Sequence, residues 1–212
     1  MAMSPGNPDA VAIAILAKAP VPGIAKTRLA PALGADGAAN LQARLIERTV
    51  TTARSAAIGP VTLWAASDPN HPVFRMIAAK LDVAVEAQPE GDLGARMLAA
   101  VVAADGPAIV IGTDCPALTP EHLRAAAKGL VDGIDVVVIP VEDGGYALIG
   151  MHRPQPALFA GVAWSTSSVL AQTRRRLARL GLSWREPARL WDVDVPADLE
   201  RLAGAGLASL LG

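Results

Sequence analysis

Cysteine, aromatic rings, lysine and net charge are all scarce in this chain, and each scarcity removes a class of answer. A single cysteine, Cys115, among 212 residues cannot close an internal disulfide or supply a zinc-type ligand set. Aromatics make up 3% of the residues, so small aliphatic side chains, alanine above all, must fill the interior between closely packed helices. The formal net charge is −1, which leaves no global field to draw the chain to nucleic acid or an anionic membrane. Any anion binding must be local. No apolar run approaches the ~18 residues of a membrane span. The N-terminal MAMSPGNPDA has no basic segment ahead of the short run VAIAILA, so a secretory leader is not expected either. The expectation is a cytoplasmic protein with neither nucleic-acid nor membrane partners, its oligomeric state left open.

What is present is a regular alternation. Apolar runs at 11–17, 60–66, 82–87, 107–113, 135–141 and 146–151 predict strands, and 41–56, 71–81, 93–104 and 120–130 carry the three- and four-residue spacing of helices. Near-continuous apolar strands joined by helical crossovers imply an α/β fold with a mostly parallel sheet and helices on both faces. The link between the runs at 135–141 and 146–151 is too short for a helix, which predicts a local antiparallel departure. Residues 1–10 read as a flexible tail and 11–212 as one domain. Ligands of such sheets gather at the carboxyl ends of the strands. Lys18 to Arg28, Glu90 to Arg96, Asp114 and Asp143 all follow strands in this sense.

The chain has only four lysines against fifteen arginines, and two of the four, Lys18 and Lys26, fall in LAKAPVPGIAKTRLAPALG (16–34). A loop after the first strand, turned at Gly23 and entering a helix with Lys26, Thr27 and Arg28, has the charge and free N–H groups that suit phosphate. It is not a Walker A loop, because Ala25 stands where glycine is needed, and no G-x-G-x-x-G follows the strand. Asp114 in GTDCP must be paired, hydrogen-bonded or metal-bound if it is shielded from water; a turn-forming Asp before Pro116 is the plainer alternative. Cys115 reads as a small buried residue. In WDVDVPADLE, strand-like alternation would put Asp192 and Asp194 on one face, while Asp198 suits the start of a helix. EDGGY offers Asp143 as turn former, metal neighbour or base, with Gly144 and Gly145 allowing close backbone approach and Tyr146 available to stack or to pack. In GDLGARM, Gly91 and Gly94 bracket a helix start that Asp92 can cap, and Arg96 lies one turn in, placed for phosphate, nucleobase or solvent. WSTSS supplies capping hydroxyls, with Trp164 a candidate wall for an acceptor. The arginines at 174–176 point three ways and read as solvated.

The segments AKAPVPGIAKTRLAPALG, GDLGARM, IGTDCPAL, EDGGYALIGM, LFAGVAWSTSSVL and WDVDVPADLERL together resemble a bacterial glycosyltransferase-like family often labelled for arsenosugar biosynthesis. That family is related in fold to phospholactate and molybdenum-cofactor guanylyltransferases. The resemblance spans nearly the whole chain. It implies the GT-A, nucleotide-diphospho-sugar transferase fold over 11–212. It further implies that Lys18, Lys26 and Arg28 hold nucleotide phosphates, and that Asp114 and Asp194, with Asp192 beside them, hold Mg²⁺ or Mn²⁺. Such a site has no nucleophile–His–acid triad and would work by positioning and charge neutralisation. Lys26, Asp114 and Asp143 would carry the chemistry, and Gly23, Gly91, Arg96, Gly144, Gly145, Tyr146 and Trp164 the substrates. The expected reaction is glycosyl transfer from a nucleotide-sugar to a small-molecule acceptor. Nucleotidyl transfer from an NTP to a phosphorylated small molecule is the alternative, and non-catalytic nucleotide binding a remote third.

Overall fold

The computed structural model describes residues 9–212; most of the tail expected over 1–10 lies outside the described residues. The strands are β1 (Ala12–Lys18), β2 (Val61–Ala66), β3 (Ala84–Ala87), β4 (Ala108–Ile111), β5 (Val136–Pro140), β6 (Tyr146–Met151) and β7 (Trp184–Arg185). They form one sheet in the order β3-β2-β1-β4-β6-β5-β7, parallel throughout except at β6. The expected antiparallel departure is there, but β6 does more than fold back on β5. It inserts between β4 and β5 and pairs antiparallel with both, so those two parallel strands never touch.

Each strand alternates its side chains between two layers. Ile13, Ile15, Leu63, Ile109, Ile111, Val137 and Ile139 face a layer made of α1 (Ala30–Ala56), α2 (Pro72–Leu81) and α4 (Pro120–Val131). Ala14, Val110, Val136, Val138 and Ile149 face α3 (Leu93–Ala103), the short α5 (Pro156–Phe159) and α6 (Val169–Arg179). A third apolar cluster joins the start of α1 to α7 (Pro196–Gly204) through Leu29, Leu41, Leu45, Val193 and Leu202. That cluster brings the C-terminal segment beside the loop after β1.

Three expectations need correction. The helix expected over 41–56 extends back to Ala30, with a non-helical break at Gly34 (φ 70°, ψ 168°); Pro31 and two glycines mask its periodicity. Residues 191–195 belong to no strand, so no sheet alternation sets Asp192 and Asp194 on one face, and of the two valines between and beyond them Val193 is buried and Val195 exposed. Arginines 174–176 are not all solvated. Arg174 forks Glu186 at 2.8 and 2.5 Å, and Arg176 donates to the Ala160 and Gly161 carbonyls at 2.9 and 3.1 Å.

α2 is fastened by few side chains, since only Phe74 and Ile77 of its residues are fully buried. Phe74→Ala leaves a cavity where the helix is anchored and should cost about 3–5 kcal/mol in urea unfolding. A loss below about 1 kcal/mol would mean that α2 contributes little to the sheet's cover.

Candidate functional site

Lys26 occupies a left-handed backbone conformation (φ 49°, ψ 41°), uncommon for a residue with a side chain and held only where the surroundings fix it. The surroundings here are two strong contacts. Its ammonium lies 2.6 Å from Asp114 Oδ1 and donates to the Val193 carbonyl at 2.6 Å, with 6% of the side chain exposed. Asp114, by contrast, is 56% exposed and keeps an oxygen toward solvent. The Asp114 carbonyl in turn accepts from Val193 N–H at 2.8 Å. The loop after β1, the end of β4 and the C-terminal segment are thus tied at one point.

A second pair repeats the arrangement further out. Arg28 Nη1 donates to Asp194 Oδ2, and both side chains are largely exposed. Asp194 and Val195 donate their backbone N–H groups, each at 2.8 Å, to Asp198 Oδ2, so Asp198 is the helix-start residue that the sequence suggests. Asp192 sits between these pairs, half-buried. Burial foremost, then Asp143, Asp114 and Asp194, push its carboxyl up to about 6, although its own backbone N–H pulls the other way. Four carboxylates from three separated segments therefore share one electrostatic neighbourhood. Asp143 Oδ1 accepts from Gly145 N–H at 2.8 Å, which forms the turn and leaves Oδ2 free of that bond.

The remaining candidates sort into a wall and a loop. Gly144 (φ 93°) lies so close to the chain that an added Cβ would stand 2.2 Å from the Ser167 carbonyl. Tyr146 turns its hydroxyl to Met97 Sδ at 3.9 Å and packs on α3, and burial pushes its hydroxyl pKa up, so it stays protonated. Trp164 closes on Gly94, where a Cβ would meet its Cζ2 at 2.7 Å, and its buried indole N–H has no partner among the described residues. Asp92 caps α3 through Ala95 N–H at 2.8 Å, and Arg96 Nε donates back to the Gly91 carbonyl at 3.1 Å. Lys18 stays within its own loop, donating to the Ile24 carbonyl at 3.2 Å on the far side of exposed Gly23. Cys115 is buried and its thiol is pushed up to about 12, mainly by desolvation, which makes it no nucleophile.

Sequence reading misses the residues that hold this edge in place. Buried Gln42 of α1 donates to Thr113 Oγ1 at 3.1 Å and toward the Lys18 carbonyl at 3.5 Å, which pins the ends of β1 and β4 together. Gln88 does the same between β1 and β2, donating to the Trp64 and Ala17 carbonyls at 2.8 and 3.4 Å. A signal for Gln42 exists: it is polar within the apolar stripe of Leu41, Leu45 and Ile46.

Among the described residues, no three His, Cys, Asp or Glu side chains form a closed metal cage. The donor set nevertheless suits a hard divalent cation. Magnesium is commonly held by one or two carboxylates, waters and substrate phosphates, and Asp114 and Asp194 present exposed oxygens beside Asp192. The Asp192 carboxyl, pushed up by burial and by the carboxylates around it, is also one that a cation would relieve.

Comparison with known proteins places this geometry. A family model described as "Uncharacterized protein conserved in bacteria (DUF2064)" matches residues 49–166. A crystal structure from Desulfovibrio desulfuricans G20, provisionally assigned as a nucleotide-diphospho-sugar transferase, is 27% identical; the match covers 87% of this chain and 82% of that one with a TM-score of 0.79. CMP:2-keto-3-deoxy-manno-octonic acid synthetase, solved with CTP, is similar in fold at 13% identity, covering 94% of this chain and 99% of that one (TM-score 0.62). So is Mycobacterium tuberculosis glucosyl-3-phosphoglycerate synthase in complex with Mn²⁺, UDP and phosphoglyceric acid, at 11% identity, covering 95% and 77% (TM-score 0.56). No curated protein matches the chain. The nucleotide-diphospho-sugar transferase fold follows from these likenesses.

Asp192 gives the site a pH signature. Between about pH 4 and 6 the folded chain keeps a proton there that the unfolded chain has released, so stability falls as pH rises through that window. With divalent cations chelated, Asp192→Asn should melt about 2–4 °C above wild type at pH 7.5 and level with it at pH 4, by calorimetry. An equal gain at both pH values would place the cost of Asp192 elsewhere than in its charge.

Proposed function

Since the chain belongs to the bacterial family DUF2064, we propose that it is a nucleotide-utilising transferase whose centre is the pair of contacts Lys26–Asp114 and Arg28–Asp194. That observation carries the reading: two cations and two carboxylates, cross-paired at the strand ends, are what a phosphate chain and a divalent cation would jointly engage. Each phosphate oxygen that Lys26 or Arg28 takes up frees a carboxylate. Arg28 offers a fork and Lys26 a compact charge, so the two serve different oxygens. Lys18, exposed at the rim, adds charge to the same loop.

Asp114 and Asp194, with Asp192, are the residues that would hold Mg²⁺ or Mn²⁺, which when bound supplies charge neutralisation to the departing diphosphate. The Mn²⁺ and UDP of the glucosyl-3-phosphoglycerate synthase structure support that assignment by analogy of fold. Within this reading we favour glycosyl transfer from a nucleotide-sugar. Asp143, with Oδ2 free of the turn, would accept the proton of an acceptor hydroxyl as its oxygen bonds to the anomeric carbon. The anomeric carbon–oxygen bond breaks and the nucleoside diphosphate leaves with that electron pair. Gly91 and Arg96 would close the loop at one side of the nucleotide, and Gly144 and Gly145 would form the wall for the sugar, while Tyr146 and Trp164 pack behind it on α3 rather than facing a substrate. Nucleotidyl transfer, a reading that the CTP held by the synthetase of similar fold supports, would use the phosphate loop of Lys26 and Arg28 and need no protein base.

The products separate the two. With Mg²⁺ and a panel of NTPs and nucleotide-sugars, glycosyl transfer predicts that nucleoside diphosphates and nucleotide-sugars raise the melting temperature at least as much as triphosphates. Acceptor-dependent pyrophosphate release would establish nucleotidyl transfer instead. In either case Asp114→Asn should fold, because its amide oxygen still accepts from Lys26, yet lose metal-dependent turnover by at least ~100-fold. Retained turnover would reduce Asp114 to a structural partner of Lys26.

A further inference from the structure

Beyond Arg185 the last strand leaves the sheet. Val137 pairs with Arg185 and Val141 with Leu190, so the register advances four residues on β5 while the strap advances five. The extra residue bows 186–189 outward, and a cavity of about 420 Å³ opens between the strap, the end of β5 and the start of α6. Pro140, Val141, Leu170 and Ala188 line it together with the charged side chains of Arg174, Glu186 and Arg189. Gly144 also lines it, which joins it directly to the turn that carries Asp143.

The rim decides what fits. Arg174 and Glu186 cancel, fork to fork, at 2.8 and 2.5 Å. Arg189 is exposed and lies within the field of Glu142, but both Glu142 oxygens are bound by Arg201, at 2.6 and 2.8 Å. Among the described residues, one guanidinium is therefore left without a hydrogen-bonded side-chain partner on this cavity, where the other two charged side chains cancel. Asp192 lies three residues beyond Arg189, a reach of at most roughly 10 Å at ~3.3 Å per residue. That is the length of a small molecule lying between the cavity and the acidic centre.

We propose that this cavity is the acceptor subsite and selects a small molecule with an apolar body and one oxyanion group, carboxylate or phosphomonoester, held by Arg189. The proposal rests on the transferase reading above and names its acceptor class. The anionic end seats against Arg189, the body lies on Leu170 and Ala188, and the reacting oxygen projects past Gly144 toward Asp143. A neutral acceptor would gain nothing from that guanidinium, so the charge of the acceptor is what selects it.

Calorimetric titration with phenyl phosphate, benzoate and neutral benzyl alcohol tests this directly. Wild type should bind one or both anions, and whichever binds identifies the oxyanion. Arg189→Gln, at an exposed position, should weaken that anion about tenfold or more, to the level of benzyl alcohol, while saturating inorganic pyrophosphate, which occupies the phosphate loop, leaves anion binding to wild type unchanged. Anions that fail to bind wild type overturn the proposal. So does binding that pyrophosphate displaces, which would place the anion in the phosphate loop, and so does benzyl alcohol binding as tightly as the anions. The melting shift of Arg189→Gln with Mg²⁺ and nucleotide reads the nucleotide site separately. Its absence in wild type as well would defeat the transferase reading, while the titration alone decides the cavity.

Discussion

One ammonium group holds the centre of this protein together. Lys26 is almost wholly withdrawn from water, and a charge so placed persists only if its partners replace the lost hydration. It has them in the Asp114 carboxylate and the Val193 carbonyl, and through these it fixes three things at once. The loop after β1 is held in a left-handed turn, the end of β4 presents its carboxylate, and the C-terminal segment is latched beside both. Arg28, Asp194 and Asp192 take their places from that latch. Removing the lysine would leave an unneutralised carboxylate and would also take away the two side-chain contacts that offset its positive φ in that loop.

The support beneath the latch is polar as well as apolar. Val193 is buried against Leu29, Leu41, Leu45 and Leu202, so its main chain can serve both Lys26 and Asp114 without fraying. Gln42 and Gln88 keep the strand ends from splaying where the loops depart. A preorganised set of charges needs such second supports, because small displacements at a charged centre are costly in rate.

The sheet was largely legible because its strands are short apolar runs with punctuated ends and its helices keep their spacing. Reading failed where that signal is weak or distant. β7 is two residues long, α5 is four, and the first turns of α1 are masked by Pro31 and Gly34. Charges gave the sharpest contrast. The sequence marks Lys26, Arg28, Asp114 and Asp194 as unusual, and the structure brings them to one edge, but no local pattern says which cation meets which carboxylate across so long a separation. The same blindness hid the Arg174–Glu186 fork, since a run of arginines on a helix reads as solvated until the strap that faces it is in place. The family model, too, spans 49–166 and leaves out the loop and the C-terminal aspartates, so the pairs that define the centre lie across its borders.

The contact between Lys26 and Val193 joins positions 167 apart in the chain. The sheet and helices between them bring these positions together, which offsets the entropy of closing so long a loop. On a ribosome Val193 emerges only after every strand among the described residues has been synthesised. A nascent chain thus carries its loop lysine and its Asp114 before the clasp that orders them can form.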